Sequence, residues 1–141
     1  MTSITEAEVR DLAIRWFEAV AMKLPIEQQR TFFAPGVKLE AWTGTAISLE
    51  QQIAMHDDLT DEVHAIRGLR VEPLADGRVR ATVELHWEAT KPSDQPGEKH
   101  IRADIGEEWI IERGADGRPR FARYLASTVR YLPGSAKLDL D

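Results

Sequence analysis

Residues 78–90 read RVRATVELHWEAT, thirteen positions that alternate polar and apolar without a break. Val79, Ala81, Val83, Leu85, Trp87 and Ala89 share one parity; Arg80, Thr82, Glu84, His86, Glu88 and Thr90 share the other. Successive side chains of a strand point to opposite faces, so a period of two marks a strand with one face in a core and one toward water. HIRADIGEEWIIE (100–112) and PRFARYLASTVRYL (119–132) read as two further long strands. ADGR occurs at 75–78 and again at 115–118, each time between two such runs, as a hairpin turn would.

The first third of the chain has the other period. Val9, Leu12, Ala13, Trp16, Val20 and Leu24 recur at steps of three and four, the stripe of an amphipathic helix, and Thr5 with Glu8 forms its capping box. Pro25 stops that helix and opens a second one over residues 26–33, closed by Ala34-Pro35-Gly36. VKLEAW (37–42) is a short strand, and Ser48 with Gln51 caps a third helix. KPSDQPGE (91–98) is a polar loop, and residues 133–141 are expected to fray. Helices first and strands afterwards give one α+β domain, three helices packed on a curved antiparallel sheet.

Composition narrows the function. At 141 residues the chain fits one domain, and its net charge of -6 with no basic cluster argues against a nucleic-acid partner. Without cysteine there is no disulfide, thiolate metal site or thiol nucleophile, which suits a cytoplasmic setting. MTSITEAEVRDL lacks the pattern of a signal peptide, and no apolar run approaches the ~20 residues that cross a bilayer, so no membrane partner is expected.

WFEAV in the first helix, FFAPGVKLEAWTG leading into SLEQQIAMH, and HAIRGLRVEPLADGRVRATVELHW together resemble the NTF2-like superfamily, and within it the SnoaL-like group. The resemblance spans nearly the whole chain. It implies a cone-shaped α+β barrel with one deep pocket between sheet and helices, often in a homodimer. The superfamily holds isomerases, cyclases, epoxide hydrolases, dehydratases and non-enzymes, so the fold does not choose a reaction. A ketosteroid-type isomerase would carry its aspartate where this chain has Ala41, and a first-helix tyrosine where it has Trp16 and Phe17. Of the scytalone-type dehydratase residues, only the histidine opening the strand after the third helix has a counterpart, His64. The Arg-x-Asp of the epoxide hydrolases is echoed by Arg102-Ala103-Asp104, but no second aspartate follows in RYLAS. None of the three sites is intact.

Candidate residues must then come from patterning. In AMHDDLTDEVHAIR (54–67), a helix from Leu49 at 100° per residue puts Ile53, His56 and Thr60 on its inward face. Leu59 and Thr60 occupy the i+3 and i+4 places from His56, so no metal pair forms. Asp57, Asp58, Asp61 and Glu62 read as a solvated helix end. His56 is a hydrogen-bonded core histidine or a pocket residue. For the first hairpin, a three-residue loop with Gly77 left-handed makes facing pairs of Leu69 with Val83 and Val71 with Ala81. Continued, that register pairs Ala65 with Trp87, Val63 with Ala89, Ile66 with His86 and His64 with Glu88. It turns His64 away from the pocket unless a bulge intervenes.

Two charges then stand on apolar faces. Arg67 lies opposite Leu85, and Glu107 shares a face with Ile101, Ala103, Ile105, Trp109 and Ile111. A lone buried charge is costly, so such groups pair, sit in a solvated cavity or shift their pKa. Arg67 and Glu107 are structural partners, or a bulge at Gly106 turns Glu107 outward while Glu108 takes its place, or Glu107 is a general acid or base with Arg67 as electrostatic stabiliser. Trp42, Trp87, Trp109 and Tyr124 could line a hydrophobic pocket. Two classes of function follow: a cofactor-independent acid–base enzyme on a small hydrophobic molecule, using Glu107, His56, Arg67 and His64, or a ligand-binding or dimerisation module without chemistry. No cofactor and no metal is indicated. The mixed charges of Glu84, His86, Glu88, Arg102, Asp104 and Glu108 suit an outer sheet face that pairs with its own copy.

Overall fold

The computed structural model describes residues 3–93, 95 and 97–138. Helix α1 (Glu6–Ala21) opens with the Thr5–Glu8 capping box and buries Val9, Leu12, Ala13, Trp16, Phe17, Ala19 and Val20. The second helix is shorter than the sequence suggests. α2 (Ile26–Gln29) passes into a 3-10 turn (Arg30–Phe32), and Phe33 already begins strand β1 (Phe33–Glu40). Ala34-Pro35-Gly36 therefore lies inside β1, where Gly36 takes a φ of 76° that few other residues accept. β2 (Ala46–Ile47) precedes α3 (Leu49–His56), which carries the Ser48–Gln51 capping box. α3 ends at His56, so Thr60 belongs to the next strand and is exposed instead of facing inward.

Four long strands follow: β3 (Thr60–Pro73), β4 (Val79–Thr90), β5 (His100–Arg113) and β6 (Pro119–Tyr131). The sheet runs in the order β2-β1-β6-β5-β4-β3. Its pairings are antiparallel except that of β1 with β6, which is parallel, and the curved sheet does not close. A mixed open sheet thus replaces the all-antiparallel one expected from strand order. α1 packs on its inner face, and the core between them is dominated by Trp16, Trp109, Phe121 and Leu12. Both ADGR turns are three-residue loops, with Gly77 at φ 87° and Gly117 at φ 80°. Their ends close through Leu74 N–H to Arg78 O and Gly114 N–H to Arg118 O, both 2.8 Å.

Strand registers decide what faces the core. β4 and β5 pair without a break from Val79–Ile111 to Thr90–His100, so the period of two survives intact. β5 meets β6 with a shift between Gly106 and Glu107, and the additional residue is Ser127 on β6. β5 itself stays regular against β4, and Glu107 keeps its inward face. β3 behaves differently. Leu69–Val83 and Val71–Ala81 pair as the hairpin predicts, but the register shifts between Ile66 and Gly68. Beyond that point Ile66 faces Leu85, Ala65 faces His86, His64 faces Trp87 and Val63 faces Glu88, one step away from the expected pairs.

The bulge at Arg67 explains the correction. Held in plain register, Arg67 would enter the apolar face without a counter-charge, at a cost well above that of one interrupted ladder bond. Bulged, it is exposed on the outer side, close enough to act on His86. Everything before it changes face: Val63 becomes 54% exposed, and His64 turns inward. Through residue 138 the tail makes defined hydrogen bonds to the sheet. Leu132 N–H bonds Arg102 O, Ala136 N–H bonds His100 O, and Leu138 N–H bonds the Tyr131 hydroxyl. Residues 139–141 of the expected fraying segment lie outside the described residues. No helix among the described residues is long and apolar enough to cross a membrane.

Candidate active site

One cavity opens between the inner sheet face, α1 and α3, enclosing about 650 Å³ with the space at its mouth. Its walls are largely apolar, with Trp16, Leu39, Ile105, Trp87, Met55 and Leu138 among them. Trp42 and Tyr124 line it too, Trp42 half-buried and Tyr124 buried. Into this surface project Glu107, His56, His64 and Gln52. Among the described residues no lysine or arginine lines it, and Glu40 at the wall is tied to Arg123 at 3.4 Å. Arg67 is not there. The structural Arg67–Glu107 pair and the stabilising role for Arg67 both fail, because the bulge sends that side chain to the opposite face.

Glu107 is 7% exposed, and burial pushes its carboxyl up to about 7. An ion in a low-dielectric site is disfavoured relative to the neutral acid, and two donors only partly offset this. Trp109 Nε1–H donates to Glu107 Oε1 at 3.0 Å, and the Tyr124 hydroxyl also bonds the carboxyl. Tyr124 is itself bonded by Trp16 and Trp109, and burial with the neighbouring Glu107 pushes its phenol well above the usual range. Trp109 was expected to touch ligand. It is fully buried behind the wall, stacked on Tyr124 at 5.6 Å, and reaches the cavity only through its bond to Glu107.

His64 stacks flat on Phe17, with ring centroids 4.6 Å apart and planes 7° apart, and lies 6.2 Å from the Trp87 ring. Burial, with the nearby His56, lowers its pKa to about 3, so the ring is neutral at physiological pH. Its Nδ1 is buried and has no hydrogen-bond partner among the described residues.

His56 ends α3, and its position is fixed from two sides. Lys23 Nζ donates to the His56 carbonyl at 2.8 Å and to that of Asp57, satisfying helix-end acceptors with a cation at the negative end of the dipole. The ring reaches Glu62 Oε1 through Nδ1 at 2.6 Å and Gln52 Nε2 through its own Nε2 at 3.1 Å. Glu62 is the residue that pattern reading missed. Asp57, Asp58 and Asp61 are exposed, as a solvated helix end should be, but the Glu62 side chain is 1% exposed. It shares the parity of His64 on the flipped segment of β3, so the Arg67 anomaly was the one available signal. Among the described residues no three His, Cys, Asp or Glu converge as a metal site.

No family model and no curated protein matches this sequence. Solved structures do resemble it. A protein of Catenulispora acidiphila in complex with S-DNPA is 17% identical, with a TM-score of 0.68 over 89% of this chain and 91% of that one. A scytalone dehydratase-like protein of Novosphingobium aromaticivorans is 8% identical, with a TM-score of 0.72 over 89% of this chain and 83% of that one. ActVI-ORFA of Streptomyces coelicolor is 14% identical, with a TM-score of 0.63 over 89% and 95%. Identities this low speak for the path of the chain and not for chemistry. That path, helices over a six-stranded curved sheet with its cavity between them, is the NTF2-like fold.

Proposed function

We propose that the chain is a cofactor-independent acid–base enzyme acting on a small, uncharged, hydrophobic molecule that carries a carbonyl or hydroxyl group. The observation that carries this reading is the meeting of Glu107, His56 and His64, from three separate elements, on one largely apolar cavity. Burial in an apolar pocket raises the proton affinity of a carboxylic acid toward the working pH, as acid–base catalysis requires. Glu107, pushed up to about 7, holds its proton in a substantial share of molecules at neutrality and can give it to an oxygen gaining negative charge. His56 offers a ring nitrogen for the opposite transfer. A wall without lysine or arginine disfavours carboxylate or phosphate ligands. The S-DNPA complex is an instance of a small molecule held by a protein of similar fold, and the scytalone dehydratase-like structure makes dehydration the proton transfer to test first.

A neutral bicyclic β-hydroxy ketone, 3-hydroxy-1-tetralone, tests the reading. Removal of the proton on C2 and loss of the C3 hydroxyl as water leave a dienone that tautomerises to 1-naphthol, which is followed by absorbance. Acceleration over buffer by the wild type, reduced tenfold or more by Glu107→Gln, supports the enzyme. Tight binding of the tetralone with no acceleration overturns it in favour of a ligand-binding module of the same fold, and neither binding nor acceleration overturns both.

The same reading includes a homodimer through the outer sheet face. His86 bonds Glu88 at 2.9 Å and Asp104 at 3.1 Å, Glu88 bonds His100 at 2.9 Å, and Asp104 pairs with Arg130 at 2.5 Å. A patch carrying both signs can complement its own copy about a two-fold axis. A monomer in sedimentation at micromolar concentration overturns this part.

A further inference from the structure

His56 and Glu62 lie on either side of the turn between α3 and β3, in a stretch whose other acids face water. Three observations single the pair out. The carboxylate side chain is 1% exposed and the imidazole 13%, so the contact between them is shielded from solvent. Glu62 Oε1 also receives the Trp87 indole N–H, at 3.4 Å. An indole N–H can only donate, so this oxygen is already acting as an acceptor, and the 2.6 Å contact to His56 is met when Nδ1 supplies the proton. The third observation is the aim of β3. Its register shifts between Thr60 and Val63, where Asp61 takes a φ of 52°, and the shift at Arg67 puts Glu62 and His64 on the inner face together. The chain accepts strained backbone to point this carboxylate inward, and its Oε2 has no partner among the described residues.

We infer that Glu62 is the positioning residue that keeps His56 protonated on Nδ1, so that Nε2 is the proton acceptor the ring offers to the cavity. The inference rests on the acid–base reading above and names which atom takes the proton. A neutral imidazole has one N–H, and a carboxylate that holds it on Nδ1 leaves the lone pair on Nε2. Gln52 fits both states of the ring. In the resting site its amide NH2 donates to the bare Nε2, so the amide swings aside when a substrate C–H takes that place, and its oxygen accepts from the ring once Nε2 is protonated. In the dehydration of 3-hydroxy-1-tetralone the C2–H bond breaks with its electron pair left on the substrate, and the proton goes to His56 Nε2. The C3–O bond then breaks, and the departing hydroxide takes the proton of the Glu107 carboxyl to leave as water. His56 ends with one proton more and Glu107 with one fewer, and transfer through solvent restores both between turnovers.

Long-range proton–nitrogen correlation spectra of the imidazoles at neutral pH read the tautomer directly, whether or not a substrate turns over. In the wild type His56 is expected as the Nδ1–H form, and in Glu62→Leu as the Nε2–H form that free imidazole side chains prefer. On 3-hydroxy-1-tetralone, Glu62→Gln should lower kcat tenfold or more with KM within twofold of wild type, and Glu62→Asp should recover part of the loss. If Glu62→Leu does not fold, the wild-type spectrum and the near-isosteric Glu62→Gln still decide. An Nε2–H His56 in the wild type overturns the inference, as does a kcat unmoved by Glu62→Gln. Absence of turnover with an Nδ1–H His56 overturns the enzyme reading instead and leaves the positioning intact.

Discussion

Glu107 and Asp104 stand three residues apart on β5, and the strand's period of two sends them to opposite faces of the sheet. Both are carboxylic acids, and their surroundings drive them in opposite directions. Burial pushes Glu107 up to about 7. Asp104 is held below the usual carboxylate range by its hydrogen bond to His86 and by the charge of Arg130. Glu88, beside it on β4, is held down in the same way by His86 and His100. On the inner face Glu107 and His64 sit among aromatic rings without an opposite charge beside them, while the outer face links its ionisable groups in a chain of opposite charges. Desolvation therefore governs one side of a single sheet and partnership the other. The difference is what a catalytic cavity needs, because a proton is easily moved only where neither protonation state is strongly held.

Glu107→Gln should produce the largest change. A carboxyl whose folded-state pKa lies above its unfolded value stabilises the fold most at low pH, and that stability is lost as pH rises through the folded value. For Glu107 the window runs from 4.5 to about 7. At roughly 1.4 kcal/mol per unit, ionising it in place costs about 3 kcal/mol above that window. Glutamine keeps an acceptor for Trp109 and never ionises. Urea unfolding at pH 8.5 should find the variant more stable by about 3 kcal/mol, and at pH 5 by less than about 1 kcal/mol. Equal differences at the two pH values would mean that Glu107 is solvated, and the contrast between the faces would collapse.

His64→Phe probes the same face from the other sign. Its folded-state pKa of about 3 lies below the ordinary 6.5, so its neutral form contributes stability above 6.5 that is lost as pH falls toward 3. By pH 4.5 the wild type should have lost about 2 kcal/mol through this residue, a figure reduced for the partly open edge of the ring. Phenylalanine preserves the stack on Phe17 and removes both the buried polar Nδ1 and the titration. The variant should gain on the wild type between pH 8 and pH 4.5, and parallel acid unfolding of the two proteins would refute the burial of this imidazole.

These residues were not equally legible. Glu107 could be found by parity because β5 is regular against β4 along its whole pairing, and a charge among Ile105, Trp109 and Ile111 stands out by type alone. The starts of α1 and α3 were legible through their capping boxes, which depend on residues three positions apart, whereas α2 has no side-chain cap and its end was not. β3 was not, because one inserted residue reverses every face beyond it, and parity carries no record of where an insertion falls. By parity Arg67 reads as a partner of Glu107 or a pocket charge, when its presence on an apolar face is the mark of the bulge. Without that step Glu62 stayed among the solvated acids and His64 pointed outward. The parallel pairing of β1 with β6 was equally hidden, since it joins the first strand to the last across most of the chain.

The outer face gives the smallest expected effect, and His86→Gln measures it. His86 is raised above 6.5, first by its bond to Glu88 and then by that to Asp104, while Arg67 from the bulge of β3 opposes them. A histidine whose folded pKa exceeds its unfolded one contributes stability that is complete below 6.5 and disappears as pH rises through the folded value. The sign is thus the same as for Glu107, but the cause is a set of partners and not burial. Partners open to solvent are weak, because water and salt compete for each charge. The Asp104 side chain is 39% exposed and that of Arg130 75%. His86→Gln should therefore cost about 1 kcal/mol or less at pH 5.5 and nothing measurable at pH 9. In 1 M salt the low-pH cost should shrink further, since the Debye length there is about 3 Å. The Glu107→Gln difference at pH 8.5 should survive the same salt, because ions do not enter the site that causes it. Should both differences respond to salt alike, the two faces would share one dielectric environment, and the cavity would lose the property that makes it a site.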